Sequence, residues 1–174
     1  MRGWLLDTNV VSELRKPKAN DNVKAFVAGQ PGEALFLSDI TIAEIRFGIE
    51  QLDDPSRRAD LNLWLDRKLR PLFEGRILSI GEEVILRWKM LHVAGQKRRH
   101  TFSQPDLFIA ALAAVEDLVV VSRDTSEFIA AGVPVLDPWS LTLHSGGKTV
   151  LLEPPVTLDK AASASRRRRL KSEP

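Results

Sequence analysis

Five short apolar runs, at residues 4–7, 35–38, 77–80, 118–122 and 134–136, are separated by longer stretches whose apolar residues recur every three or four positions. Runs of that length fit strands, and the period between them fits helices. The alternation therefore predicts βαβ units: an α/β fold with a mostly parallel central sheet flanked by helices. Ile42, Ile45, Ile49 and Leu52 mark one helix, and Leu61, Leu65, Leu69 and Leu72 a second. A third covers 82–97 and a fourth the stretch DLFIAALAAVED, with Pro- and Gly-containing breaks between the elements. A chain of 174 residues with 44% apolar content is sufficient for one such domain with a sizeable core.

The alternation stops after Trp139. Residues 1–144 are read as the globular domain and 145–174 as a basic extension with the composition of disorder. In that reading Ser145-Gly146-Gly147 is a linker, VLLEPPVTL supplies at most one edge strand, and deletion of 145–174 leaves catalysis intact. The chain carries 25 basic and 23 acidic side chains, a net charge of +2. Residues 145–174 hold seven of the basic and three of the acidic ones, an excess of four, which leaves 1–144 at −2. The body is therefore not a nucleic-acid binder by bulk charge. The run 166–169, four arginines, is either a solvated tail or an RNA-phosphate contact that gains affinity by counterion release.

Composition also removes whole classes of chemistry. With no cysteine there are no disulfides, thiol nucleophiles or thiolate metal sites. His92, His100 and His144 lack zinc-ligand spacing. There is no signal peptide and no apolar stretch of membrane-spanning length, so the reading is a cytoplasmic protein without a membrane partner.

The acids remain. In an open parallel sheet, ligands bind beyond the carboxyl ends of the strands. Asp7, Asp39 and Asp124 fall at or just after such ends, Glu44 lies in the first turns of the helix after the second strand, and Asp106 opens the fourth helix. Taken singly, each has a plain structural reading. Asp39 reads as a cap or turn residue, Glu44 as a solvated helix acid, and residues 103–106 and 124–127 as capping boxes. Asn9, Ser12 and Ser122 likewise read as turn or capping groups. Taken together, Asp7, Glu44, Asp106 and Asp124 come from four separate units and can converge at one sheet edge. Four carboxylates in one place repel, and they need a hard cation such as Mg²⁺ or Mn²⁺ to stay ionised. Metal-activated water acting on a phosphodiester is the chemistry this inventory supports best.

The blocks LLDTNVVSELRKP, SDITIAEIRFGIEQL, FSQPDLFIAALA, LVVVSRDTSEF and GVPVLDPW, in that order, resemble PIN-domain ribonucleases, above all the VapC/FitB-like toxins of bacterial type II toxin–antitoxin systems. The resemblance spans residues 4–140 and implies a three-layer PIN-like fold. By position it implies that Asp7, Glu44, Asp106 and Asp124 are the catalytic and metal-holding acids. Glu127, Asn9 and Ser122 become auxiliary groups, Ser122 standing where relatives often carry Thr. It further implies Mg²⁺ or Mn²⁺ as cofactor, an RNA substrate, a homodimer, and inhibition by an antitoxin with a DNA-binding domain that reaches a groove beside the acids. The chain departs from the family by running on for about thirty residues past LDPW.

Three functions follow. The first is a metal-dependent endoribonuclease toxin. The second, an aspartyl-phosphate phosphatase, needs a second Asp where Asn9 stands. The third is a catalytically silent PIN-fold module that binds RNA or a partner, in which at least one acid is expected to be lost. A basic cluster, residues 96–100, precedes Asp106; Arg98 and Arg99 are read as either a solvated loop or an RNA-phosphate contact. Trp4, Trp64, Trp88 and Trp139 lie in apolar periodic segments and are read as core or dimer residues rather than base-stacking platforms.

Overall fold

The computed structural model describes residues 1–166. Strand β1 (Gly3–Leu6) leads into α1 (Thr8–Leu14) and α2 (Asp21–Ala28), and β2 (Leu35–Ser38) leads into α3 (Asp39–Glu50) and α4 (Pro55–Trp64). Helix α4 widens into a π turn (Leu65–Leu69) and ends in the single-turn α5 (Arg70–Leu72), where Pro71 lacks the N–H that the helical ladder requires. Then come β3 (Ile77–Leu78), α6 (Glu82–Lys97), α7 (Gln104–Val115), β4 (Leu118–Val121), α8 (Ser126–Ala131) and β5 (Val135–Asp137). A hairpin, β6 (Thr142–Ser145) and β7 (Lys148–Leu151), and the helix α9 (Leu158–Arg166) complete the described chain. Helices α2 and α8, of eight and six residues, are too short to have shown a period in the sequence.

The sheet order is β3-β2-β1-β4-β5-β6-β7. The first five of these strands run parallel and the last two are antiparallel. From β1 the chain moves outward to β2 and β3, then returns to the other side of β1 with β4 and β5. That reversal, between β1 and β4, opens a crevice beyond their carboxyl ends. Asp7 and Ser122 are the residues that immediately follow these two strands.

Side chains alternate across the sheet with the period of two that strands impose. Trp4 and Leu6 of β1, Leu37 of β2 and Val121 of β4 pack against α1, α2 and the π turn through Val11, Val23, Phe26 and Leu69. Leu5, Phe36 and Val120 face the other way, onto α6, α7 and α8 through Leu91, Leu107 and Phe128. Two cores on one sheet make the three layers. Trp4 is fully buried, edge-on to Phe26 at 5.1 Å, and its indole N–H donates to Gln30 Oε1 at 2.8 Å. Among the described residues, no helix is long and apolar enough to cross a membrane.

The boundary expected at residue 144 does not appear, and residues 145–166 are ordered. Gly146 and Gly147, read as a linker, take φ of +57° and +72° and close the β6–β7 hairpin, a conformation only glycine adopts without strain at both positions. Leu152, Val156 and Ala161 are buried in the same core as Trp4. Gln30 Nε2 donates to Val156 O at 2.8 Å and to Phe26 O at 3.1 Å, tying the extension to α2. The sequence signal was weak because α9 faces the core with alanine, a residue too small to mark an apolar stripe. Of the basic run, Arg166 ends α9 and residues 167–169 lie outside the described residues.

The packing of 145–166 adds a stability cost to the expectation that deleting 145–174 leaves catalysis intact. That deletion exposes the face under Leu152, Val156 and Ala161, at a loss of roughly 3–5 kcal/mol. Thermal unfolding of the truncated protein should occur about 10 °C below the full chain; an unchanged Tm would mean the packing contributes nothing.

Candidate active site

Asp7 sits where β1 ends, and its backbone continues the sheet: its N–H donates to Val121 O at 3.0 Å. Its φ and ψ of −78° and 161° make it the N-cap of α1, and Oδ1 accepts from Thr8 N at 2.7 Å. Capping occupies only one oxygen. The other, Oδ2, accepts from Ser122 Oγ at 2.6 Å and Asn9 Nδ2 at 3.0 Å. Asn9 Nδ2 also reaches Ser122 Oγ at 2.9 Å, so the three side chains form a closed triangle across the switch point. Asp7 is thus both a cap and the centre of a site.

The other acids come in from three directions. Glu44, on α3, is half-buried and accepts a short hydrogen bond from Thr8 Oγ1. Asp106 lies in the first turn of α7, half-buried. Asp124 is exposed in the loop after β4, with its N–H donating to Ser122 Oγ at 3.0 Å. Asp39 lies apart in function: it is exposed at the start of α3, whose cap is Ser38.

Electrostatics tie these side chains together. Burial raises the pKa of Asp7 above the usual carboxylate range, and the charges of Glu44 and Asp124 raise it further; the bonds from Ser122 and Thr8 pull the other way. Asp106 is pushed up to about 6, by burial first and then by Asp7, with Glu127 and Asp124 adding to it against a bond from Ser103. Among the described residues, none of Asp7, Glu44, Asp106 and Asp124 has a Lys or Arg partner within 4 Å. An all-oxygen donor set with uncompensated charge fits a hard divalent cation. As placed, no three acids are gathered into a coordination shell among the described residues. Asp7 Oδ2 and Glu44 Oε2 instead accept from hydroxyl and amide donors of the chain.

The capping boxes expected at 103–106 and 124–127 do not form: neither Ser103 nor Thr125 makes a side-chain cap bond. Glu127 instead reaches out of α8 to accept from Ser103 N at 3.1 Å and lies 3.6 Å from His100 Nε2, clamping the loop ahead of Asp106. Arg98 is engaged by carbonyls, Nη2 donating to Ala130 O at 3.0 Å and Nε to Ala94 O at 3.2 Å. Arg99, at φ +58°, is exposed just past the end of α6. Sequence reasoning overlooked the role of Thr8 in holding Glu44, although a hydroxyl next to the first acid was its visible signal. It also passed over Arg123, which stands between Ser122 and Asp124. A cleft of about 440 Å³ opens beside Thr8 and Glu44, between α1, α3 and α4, with Arg15, Lys16 and Arg57 along it.

The PIN domain family profile matches residues 4–133. The chain is 37% identical over 135 residues to toxin FitB of Neisseria gonorrhoeae, which covers 78% of this chain and 97% of FitB. It is 35% identical to VapC ribonuclease Y4jK of Sinorhizobium fredii over 78% of this chain and 96% of that protein. The solved structure of FitAB bound to the IR36 DNA fragment superposes with a TM-score of 0.73 at 35% identity, over 78% of this chain and 95% of that one.

The raised pKa of Asp106 carries a sign. A carboxyl that holds its proton more tightly folded than unfolded destabilises the fold where it must ionise, above about pH 6. Metal-free Asp106→Asn should therefore melt higher than the parent at pH 8, by of order 1 kcal/mol after allowing for solvent screening. The advantage should fade between pH 6 and 4, where the parent carboxyl becomes protonated. An Asn variant no more stable at pH 8 would show that the carboxylate is not strained.

Proposed function

The chain belongs to the PIN domain family, and from that premise we propose that it is a metal-dependent endoribonuclease acting as the toxin of a toxin–antitoxin pair. What supports this reading is that Asp7, after the first strand of the switch point, feels the charges of Glu44 and Asp124 and acts in turn on Asp106, none of the four having a Lys or Arg within 4 Å among the described residues. These are the residues that would hold Mg²⁺ or Mn²⁺. Such an ion supplies Lewis acidity, making water a competent nucleophile near neutral pH and offsetting charge on the phosphate oxygens.

The chain's own groups do the positioning. Ser122 and Asn9 set the plane of the Asp7 carboxylate through Oδ2, Thr8 aims Glu44, and the amide of Asp124 is tied to the same Ser122 hydroxyl. Glu127 fixes the loop ahead of Asp106 rather than facing the water. The cleft beside Glu44 offers an extended phosphate backbone two cations free of carboxylate partners among the described residues, Arg15 and Arg57, where the acids alone would repel it. The reading includes a homodimer and a cognate antitoxin with a DNA-binding domain. FitB is named a toxin, and FitAB is solved on DNA, which supports the partner.

The test is RNA cleavage by the purified protein, freed of any antitoxin, across several RNA classes. Cleavage should require Mg²⁺ or Mn²⁺ and stop with EDTA. Asp7→Asn should reduce the rate by roughly a hundredfold or more while the protein still folds. Cleavage that persists in Asp7→Asn would remove the carboxylate site. An inert parent with both metals would favour the silent RNA- or partner-binding module.

A further inference from the structure

Arg123, beside the acids, has no carboxylate partner within 4 Å among the described residues. Arg123 lies between Ser122 and Asp124, and its backbone N–H donates to Asn9 Oδ1 at 3.2 Å, so it is fastened to the Asp7–Ser122–Asn9 triangle. Its side chain is exposed, and among the described residues the guanidinium makes no hydrogen bond and no ion pair within 4 Å. Instead it rests over the ring of Trp139, 5.4 Å from the centroid. Trp139 is itself held at both backbone ends, its N–H donating to Asp137 Oδ1 at 2.8 Å and its carbonyl accepting from Asn22 Nδ2 at 2.8 Å. The nearest acid on α1, Glu13, is already committed to Lys16 Nζ at 2.6 Å and Asn20 N at 2.8 Å. The guanidinium is thus held by its stacking on Trp139 and by the more distant charge of Glu13, and among the described residues none of its five donors makes a hydrogen bond.

We propose that Arg123, seated on Trp139, is a substrate-binding residue that takes an RNA phosphate flanking the scissile one. This rests on the ribonuclease reading. A cluster of four acids repels a polyanion, so a strand that approaches it needs a cation beside the site that the acids do not neutralise. Arg123 meets that need: its backbone is tied to Asn9, which also bonds Asp7, while its side chain is carried sideways to Trp139. The planar guanidinium matches a phosphate bidentately, and stacking leaves its N–H edges free to do so. An approach along this flank also brings a base beside the Trp139–Arg123 stack, giving sequence-tolerant contact.

The experiment uses the full chain as Asp7→Asn, to suppress cleavage, with and without Arg123→Gln, and a fluorescent single-stranded RNA at constant Mg²⁺ over a range of KCl. Arg123→Gln should weaken binding about tenfold at low salt and lower the slope of log Kd against log salt by about one. In the cleavage-competent protein it should raise KM with little change in kcat, and Arg123→Lys should recover part of the affinity. Equal Kd and slope in the two proteins, with the parent still cleaving RNA, would overturn this assignment and leave the ribonuclease reading standing. A parent that binds no RNA would overturn both.

Discussion

The hydrogen bond from Ser122 Oγ to Asp7 Oδ2, 2.6 Å long and fully buried at the Ser122 end, joins the two strands whose separation creates the site. β1 and β4 pair in register from Gly3 to Leu6, so the residues that follow them emerge side by side. Asp7 is only 5% exposed, yet it is surrounded by donors that favour its charged form. Burial and the neighbouring acids act against that. The carboxylate is held between these tendencies by geometry that the parallel sheet dictates. The bonds from Ser122 and Thr8 are what hold its pKa down against the burial that raises it.

The same arrangement explains why the site does not collapse on itself. Burial first, and the neighbouring acids after it, oppose ionisation at Asp7 and Asp106, the latter pushed up to about 6. A nearby lysine or arginine would ease that opposition and also block a divalent ion. The cations that do stand close are kept from the carboxylates: Arg98 by the carbonyls of Ala94 and Ala130, Arg123 by the face of Trp139.

Much of this was legible in the sequence because it follows from period and punctuation. The five parallel strands come from the length of their apolar runs and the four longer helices from a period near 3.6, and together these place the acids after strand ends. What was not legible depends on contacts distant in sequence. Nothing around Ser103 or Glu127 reveals that a capping box will be replaced by a clamp between α7 and α8 spanning 24 positions. Nothing in LVVVSRDTSEF says that Arg123 will turn to a tryptophan sixteen residues on. The extension was misread for a third reason: Ala161 and a pair of glycines are ambiguous until the core they face or the turn they close is known.

That extension has a consequence for the site itself. The family profile ends at residue 133, so β6, β7 and α9 lie beyond the part of the chain that the profile describes. They add two antiparallel strands to a parallel sheet and cover α2 through the segment at Val156. Gln30 is the joint: it accepts from Trp4 Nε1 and donates to both Phe26 O and Val156 O, satisfying three buried partners with one side chain. Trp4 lies in β1, three residues before Asp7. A strand so braced resists the repulsion that gathers at its carboxyl end, because moving Asp7 outward would have to move Trp4, the Gln30 network and the extension with it. The added elements therefore brace β1 through Trp4 and Gln30.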